Sequence, residues 1–286
     1  MKYIKLLRVN NYIKNFYIFM PAFFSGMLLT DDVAPNSAMA FLLFSLMASA
    51  IYIINDLQDI AEDRKHPTKR NRPIASGAIS AKMALSIAVV LALFSLATAW
   101  FFRVDLFYVL LAYLLLNLAY SYRLKHIAIL DISIVSLGFI LRIEAGHAVT
   151  GILISKWLMM MVFLLSMFQA MAKRLDDISV AAEQGVISRK SIDGYNADFL
   201  KIALSIFSAV LVVCYIIYIT QPISVERLGA NSYFTVFPVL LGVLRYLQLL
   251  YVHKRNYNPV KIILKDHFLQ LVVLAWVGSF AFLLYV

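Results

Sequence analysis

Nine apolar runs set the fold before any single residue does. They fall at roughly 13–30, 37–58, 82–102, 106–121, 127–149, 155–173, 198–219, 232–250 and 264–285. Each is close to the ~20 residues that cross a bilayer as a helix. A helix satisfies its own backbone polar groups, so a chain cut into such runs predicts an all-α, polytopic membrane bundle of about nine spans. Composition excludes the soluble alternative. The 286 residues are 62% hydrophobic and 15% charged, where a soluble domain carries about 25% charged residues. No linker or repeat divides the chain, so 1–286 reads as one transmembrane domain.

The basic residues orient the spans. With the N-terminus inside, the cytoplasmic segments hold 22 of the 26 Lys and Arg. The outer loops hold Arg103, Lys156 and Arg227, and Arg142 lies within the fifth span. The expected location is the inner (plasma) membrane, with the N-terminus and the long polar loops cytoplasmic. The net charge of +10 then reflects topology and an anionic substrate. Nucleic acid is not expected, because the bases sit in short loops without a reading module. Cys214 is the single cysteine and reads as a core thiol. No zinc spacing, glycine-rich phosphate loop or nucleophile elbow is present.

The chemistry concentrates at the end of the second run. Asp56, Asp59 and Asp63 follow Asn55 at i, i+3 and i+7, one face of a helix. Three carboxylates on one face repel unless a cation lies between them. Hard oxygen ligands suit Mg²⁺ shared with substrate phosphates. The next turn brings Arg64, Lys65, His66, Lys69, Arg70 and Arg72, which suit the rest of a polyphosphate. The alternative is a solvated charge run, but ordinary juxtamembrane runs are basic, not acids in register followed by bases.

These residues carry a resemblance. N-D-x-x-D-x-x-x-D, then R-P-I-A-S-G-x-I-S at 72–80, resembles the UbiA superfamily of intramembrane prenyltransferases. The variant H-P-T-K-R-N-R-P-I-A at 66–75 resembles the branch that includes decaprenyl-phosphate phosphoribosyltransferase. Segments at 8–15, 119–132, 172–177 and 264–276 agree with that branch. The resemblance implies a helical bundle around a cavity open to the cytoplasm and to lipid. It also implies Mg²⁺-dependent transfer of a 5-phosphoribosyl group from 5-phosphoribosyl 1-pyrophosphate (PRPP) to a polyprenyl phosphate. The family fold it implies places Lys69, Arg70, Arg72, Lys173 and Arg174 around one cavity, where several of them are expected to hold phosphate groups, with Lys14 and Lys125 helping to hold the acceptor phosphate. Aromatic prenyltransferases of the superfamily carry a second D-x-x-x-D motif, where this chain has Lys173-Arg174-Leu175-Asp176-Asp177. One acidic cluster facing a Lys-Arg pair suits a donor with one metal-bound pyrophosphate and a further phosphate.

Charge inside a bilayer is expensive, so intramembrane ionisable residues mark function or ion pairs. Arg142 is either a cavity residue reaching an anion or half of a structural pair, with Glu144 or an acid on another helix. Asp131, or else Asp177, is expected near the ribose. Asn117 reads as an interhelical hydrogen bond. Two other functions stay open: a prenyltransferase acting on an aromatic or polar acceptor, and a non-catalytic transporter or lipid-binding bundle. The partners the resemblance implies are PRPP, polyprenyl phosphate and the lipid bilayer, with a homo-oligomer left open.

Overall fold

The computed structural model describes residues 2–65, 68–184, 194–252, 262 and 265–285. Among them there is no strand. Among the described residues eight helices are long and apolar enough to cross a membrane, one for each apolar run except the first. The chain forms two compact units.

The first unit comprises Met1–Leu124 and Gly138–Leu153. It holds α1 (Lys2–Leu7), α2 (Met20–Phe24), α3 (Val33–Gln58), α4 (Ile60–Lys65), α5 (Ala81–Phe102) and α6 (Val104–Tyr122). It also takes the later part of α7 (Leu130–Thr150). Phe44, Met47, Leu106, Leu110 and Ala145 form one core cluster. Leu6, Ala50, Ile53, Ile74, Ala84 and Ala88 form another. Ser80 caps α5, its hydroxyl accepting from the Met83 N–H at 3.3 Å, which satisfies one orphan donor of the first turn. Val90, Leu93 and Phe94 on that helix stay exposed. An apolar face of this kind needs lipid, not water.

The first apolar run, expected as a span over 13–30, takes another form. Val9–Phe19 is a 3-10 helix, and α2 follows it. Runs of 3-10 helix this long are uncommon, and here the neighbour explains the choice. At three residues per turn, Tyr12, Asn15 and Ile18 stack in one column. Tyr12 Oη meets Ser49 Oγ at 2.8 Å, and Asn15 Nδ2 donates to Ser45 Oγ at 2.8 Å. Three residues of 3-10 helix rise about 6 Å, as do the four α-helical residues from Ser45 to Ser49. The two ladders therefore match rung for rung. Ile18, the third residue of the column, is fully buried. Its backbone runs so close to α7 that a Cβ on Gly146 would sit 2.0 Å from the Ile18 carbonyl oxygen.

The second unit comprises Lys125–Leu137 and Ile154–Val286. It holds the start of α7, then α8 (Lys156–Gln184), α9 (Ala197–Thr220), α10 (Pro222–Leu228), α11 (Val236–Tyr251) and α12 (His267–Tyr285). Its core gathers Ile132, Met167, Phe168, Met171, Leu200, Leu204, Tyr246, Leu249 and Leu269. Asn196 caps α9, its Oδ1 accepting from Phe199 N–H at 2.7 Å. Asp266 does the same for α12 at Leu269, at 3.0 Å, while pairing with Arg245.

Candidate active site

In the first unit the acid motif sits where α3 ends. The helix breaks at Asp59 (φ −93°, ψ 10°) and resumes as α4. Asp59 N–H still bonds the Asn55 carbonyl at 3.0 Å, and Asp63 N–H bonds the Asp59 carbonyl at 2.8 Å. The interruption is thus a bend. Asp56 and Asp63 are buried, and Asp59 is half-buried. Arg72 closes the pair: its Nη1 lies 3.1 Å from Asp56 Oδ1 and 2.6 Å from Asp63 Oδ2. Arg8 also pairs with Asp56 Oδ1. Arg8 reaches it from a left-handed backbone conformation (φ 52°) that turns the chain out of α1. Its guanidinium lies 5.2 Å from the Tyr52 ring centre.

The expected convergence of three carboxylates is therefore two carboxylates around guanidinium groups. Among the described residues, no three of His, Cys, Asp and Glu gather closely enough for a metal ion. Still, the donor set fits one. Two buried carboxylate oxygens already contact a single cationic nitrogen, and hard anionic oxygens are what Mg²⁺ takes.

The neighbouring candidates separate. Asn55 accepts from the Ser121 hydroxyl and so ties α3 to α6. Lys69 is half-buried on the turn Lys69–Asn71, and Arg70 is exposed. Arg64 Nε donates to the Ala75 carbonyl at 3.1 Å, which pins the loop. His66 lies outside the described residues. Lys14 is half-buried on the 3-10 segment. Asn117 corrects an expectation: its amide donates to the Tyr113 carbonyl of its own helix at 2.8 Å.

Arg142 is buried without an ion pair among the described residues. It donates to Asn15 Oδ1 at 2.8 Å, the Gly138 carbonyl at 2.6 Å and Tyr113 Oη at 3.1 Å. Phe44, Tyr113 and Phe139 surround it with ring centres 5.0–5.3 Å away. The structural pair with Glu144 is not formed. Neutral acceptors and ring faces stabilise the charge instead.

The second unit carries its own charged cluster. Asp131 is fully buried. It accepts from Arg174 Nε at 2.8 Å and from Tyr195 Oη at 2.6 Å. Arg174 Nη1 also donates to Asp177 at 3.1 Å. The Tyr195 oxygen accepts from the Ile129 N–H at 2.6 Å, and Ile129 has a φ of 69°, strained for a β-branched residue. Burial, then the hydrogen bond to Asp131, pushes the Tyr195 phenol well above its ordinary value. Asp131 thus holds Arg174, while Asp177, half-buried, lies at the cluster's edge. Lys173 is exposed, and Lys125 is half-buried on the turn Leu124–His126.

Sequence reasoning passed over Arg8 and Tyr195 as site residues. Arg8 reads as one more cytoplasmic base; nothing in its surroundings announces a left-handed turn. Tyr195 is 64 residues from Asp131, and no spacing rule connects them.

Comparisons with known proteins agree with this architecture. The UbiA prenyltransferase family model matches residues 18–272. A decaprenyl-phosphate phosphoribosyltransferase of Mycolicibacterium smegmatis is 36% identical, over 99% of this chain and 92% of its own. One of Corynebacterium glutamicum is 31% identical, over 99% and 86%. A UbiA homologue from Archaeoglobus fulgidus, solved with GPP and Mg²⁺, superposes over all of both chains with a TM-score of 0.73 at 18% identity. The chain is a multi-pass membrane enzyme, a transferase, and it belongs to the UbiA prenyltransferase family.

Proposed function

We propose that the chain transfers the 5-phosphoribosyl group from PRPP to a polyprenyl phosphate, releasing pyrophosphate in a Mg²⁺-dependent reaction at the cytoplasmic side of the inner membrane. The observation that supports it most is the charge arrangement. One acidic cluster is built around cations, and the second acidic motif of aromatic prenyltransferases is replaced by a Lys173-Arg174 pair. Similarity to enzymes named for this reaction, over nearly the whole chain, supports the same choice.

The residues divide the work by charge. Asp56 and Asp63, with Asp59, would hold Mg²⁺, which neutralises the departing pyrophosphate when bound. Arg72, Lys69 and Arg70 take the remaining pyrophosphate oxygens, because charge develops there as the anomeric bond breaks. Lys173 and Arg174 take phosphate in the second unit, and Asp177 is the acid left for the ribose. Lys14 and Lys125 serve the acceptor phosphate. That acceptor is already an anion near neutral pH, so no general base is needed to activate it. Direct displacement inverts the anomeric carbon. Arg142 enters this scheme as a holder of Asn15 and the 3-10 segment.

The test is incubation of the purified protein with labelled PRPP, Mg²⁺ and polyprenyl phosphates of several lengths. A lipid-soluble labelled product that needs Mg²⁺ is expected. Product formed instead from a prenyl diphosphate and an aromatic acceptor, with none from PRPP, overturns the proposal.

A further inference from the structure

The two buried carboxylates of the first unit's acid cluster are matched charge for charge. Asp56 and Asp63 carry two negative charges, and Arg8 and Arg72 return two positive ones. Both carboxylates are about 3% exposed, so water screens little of what enters. A divalent cation added to this pair would leave an excess of positive charge, only partly offset by the half-buried Asp59, in a buried place, which is costly. It would also have to displace Arg72 Nη1 from the two oxygens that it contacts.

We propose that Arg72, backed by Arg8, is a stand-in for the metal. It holds Asp56 and Asp63 in place without the ion and yields the position when the ion arrives with a pyrophosphate group. The entering anion makes the exchange balance. Pyrophosphate brings the negative charge that the metal lacks in the protein, and it offers Arg72 a new planar acceptor for its fork. Arg72 thus moves from carboxylate to phosphate, and no bond is made or broken. The arrangement has two consequences. The buried pair stays folded and matched when empty, and metal binds well only together with a diphosphate. This rests on the reading of Asp56 and Asp63 as metal ligands, but not on the identity of the sugar or the lipid.

Paramagnetic Mn²⁺, titrated into the purified protein in nanodiscs and followed by electron paramagnetic resonance, reads the exchange without turnover. Wild type should bind Mn²⁺ weakly alone, and at least ~10-fold more tightly with inorganic pyrophosphate present. Arg72→Gln removes one positive charge a few ångströms from the ion, worth well over ~10-fold at the effective dielectric of such sites. That variant should bind Mn²⁺ at least ~10-fold more tightly than wild type without pyrophosphate, and gain less when pyrophosphate is added. Arg72→Lys, which keeps the charge, should stay near wild type without pyrophosphate. Asp63→Asn in the Arg72→Gln background should remove the gained affinity, which locates the ion. Should Arg72→Gln fail to fold, Arg8→Gln carries the same test with a smaller gain, since Arg8 touches Asp56 alone. Unchanged or weaker Mn²⁺ binding in the neutralised variant overturns the stand-in role. If the Mn²⁺ pattern holds while no PRPP-derived product forms, the exchange stands and the substrate assignment fails.

Discussion

Replacing Asp131 by Asn tests the second unit's charged cluster most sharply. The carboxylate is fully buried and has two donors aimed at it, Arg174 Nε and Tyr195 Oη. Asparagine has nearly the same shape but only one acceptor, so its amide N–H₂ must face one of those donors. A buried donor left unmet costs about 1–3 kcal/mol, and breaking a buried ion pair costs about 3–5 kcal/mol. Arg174 keeps Asp177 at 3.1 Å, so the loss belongs near the low end, about 3 kcal/mol. Tyr195→Phe removes the hydrogen bond to a charged acceptor, about 1.5–3 kcal/mol. It also strands the Ile129 N–H. The two losses share one hydrogen bond, so the double variant should fall short of their sum by at least ~0.5 kcal/mol. Equilibrium unfolding in mixed micelles measures all three. A structural defect alone would lower stability and leave the surviving enzyme normal. A misaimed Arg174 should also raise the KM for the donor several-fold with little change in kcat. Asp131→Asn with wild-type stability and wild-type donor KM refutes the reasoning.

Two further outcomes are expected in the first unit. Arg142→Lys should be nearly as destabilising as Arg142→Met in a thermal melt, because three nitrogens of a planar fork serve three separate acceptors and an ammonium cannot reach them all; full rescue by Lys would sink that account. Gly146→Ala should lower both yield and melting temperature markedly, since the new methyl would meet a backbone carbonyl that cannot swing aside; a melting curve that overlays wild type would show that the 3-10 segment shifts freely.

The spans were legible because lipid imposes a length and a polarity on every crossing helix, and the runs from 37–58 onward became the eight long helices. The first run was not, because hydropathy does not distinguish α from 3-10 helix. That choice depends on Ser45 and Ser49, 30 residues from Asn15 and 37 from Tyr12. The concentration of acids at the end of the second run was legible from the sequence. Their actual partners were not, since Arg8 and Arg72 come from segments on opposite sides of α3 in sequence. Asp131 shows the same limit. Its burial near a helix start was readable, but its commitment to Arg174 and Tyr195 is a tertiary fact, and it shifts the ribose assignment toward Asp177.

The matched ladders of Val9–Phe19 and α3 constrain where this protein can be re-engineered. In an α-helix a one-residue deletion rotates the downstream face by about 100°, and a neighbouring turn often supplies a substitute. In a three-fold column every third residue is the only one on its side, so a deletion at Ile13 swings Asn15 about 120° off the Ser45 rung and strands Arg142 Nε at the same stroke. Nothing one turn away replaces it. Fusion points and length changes should therefore be placed ahead of Lys2–Leu7, never inside the segment, because its residue count works as a gauge for the bundle behind it.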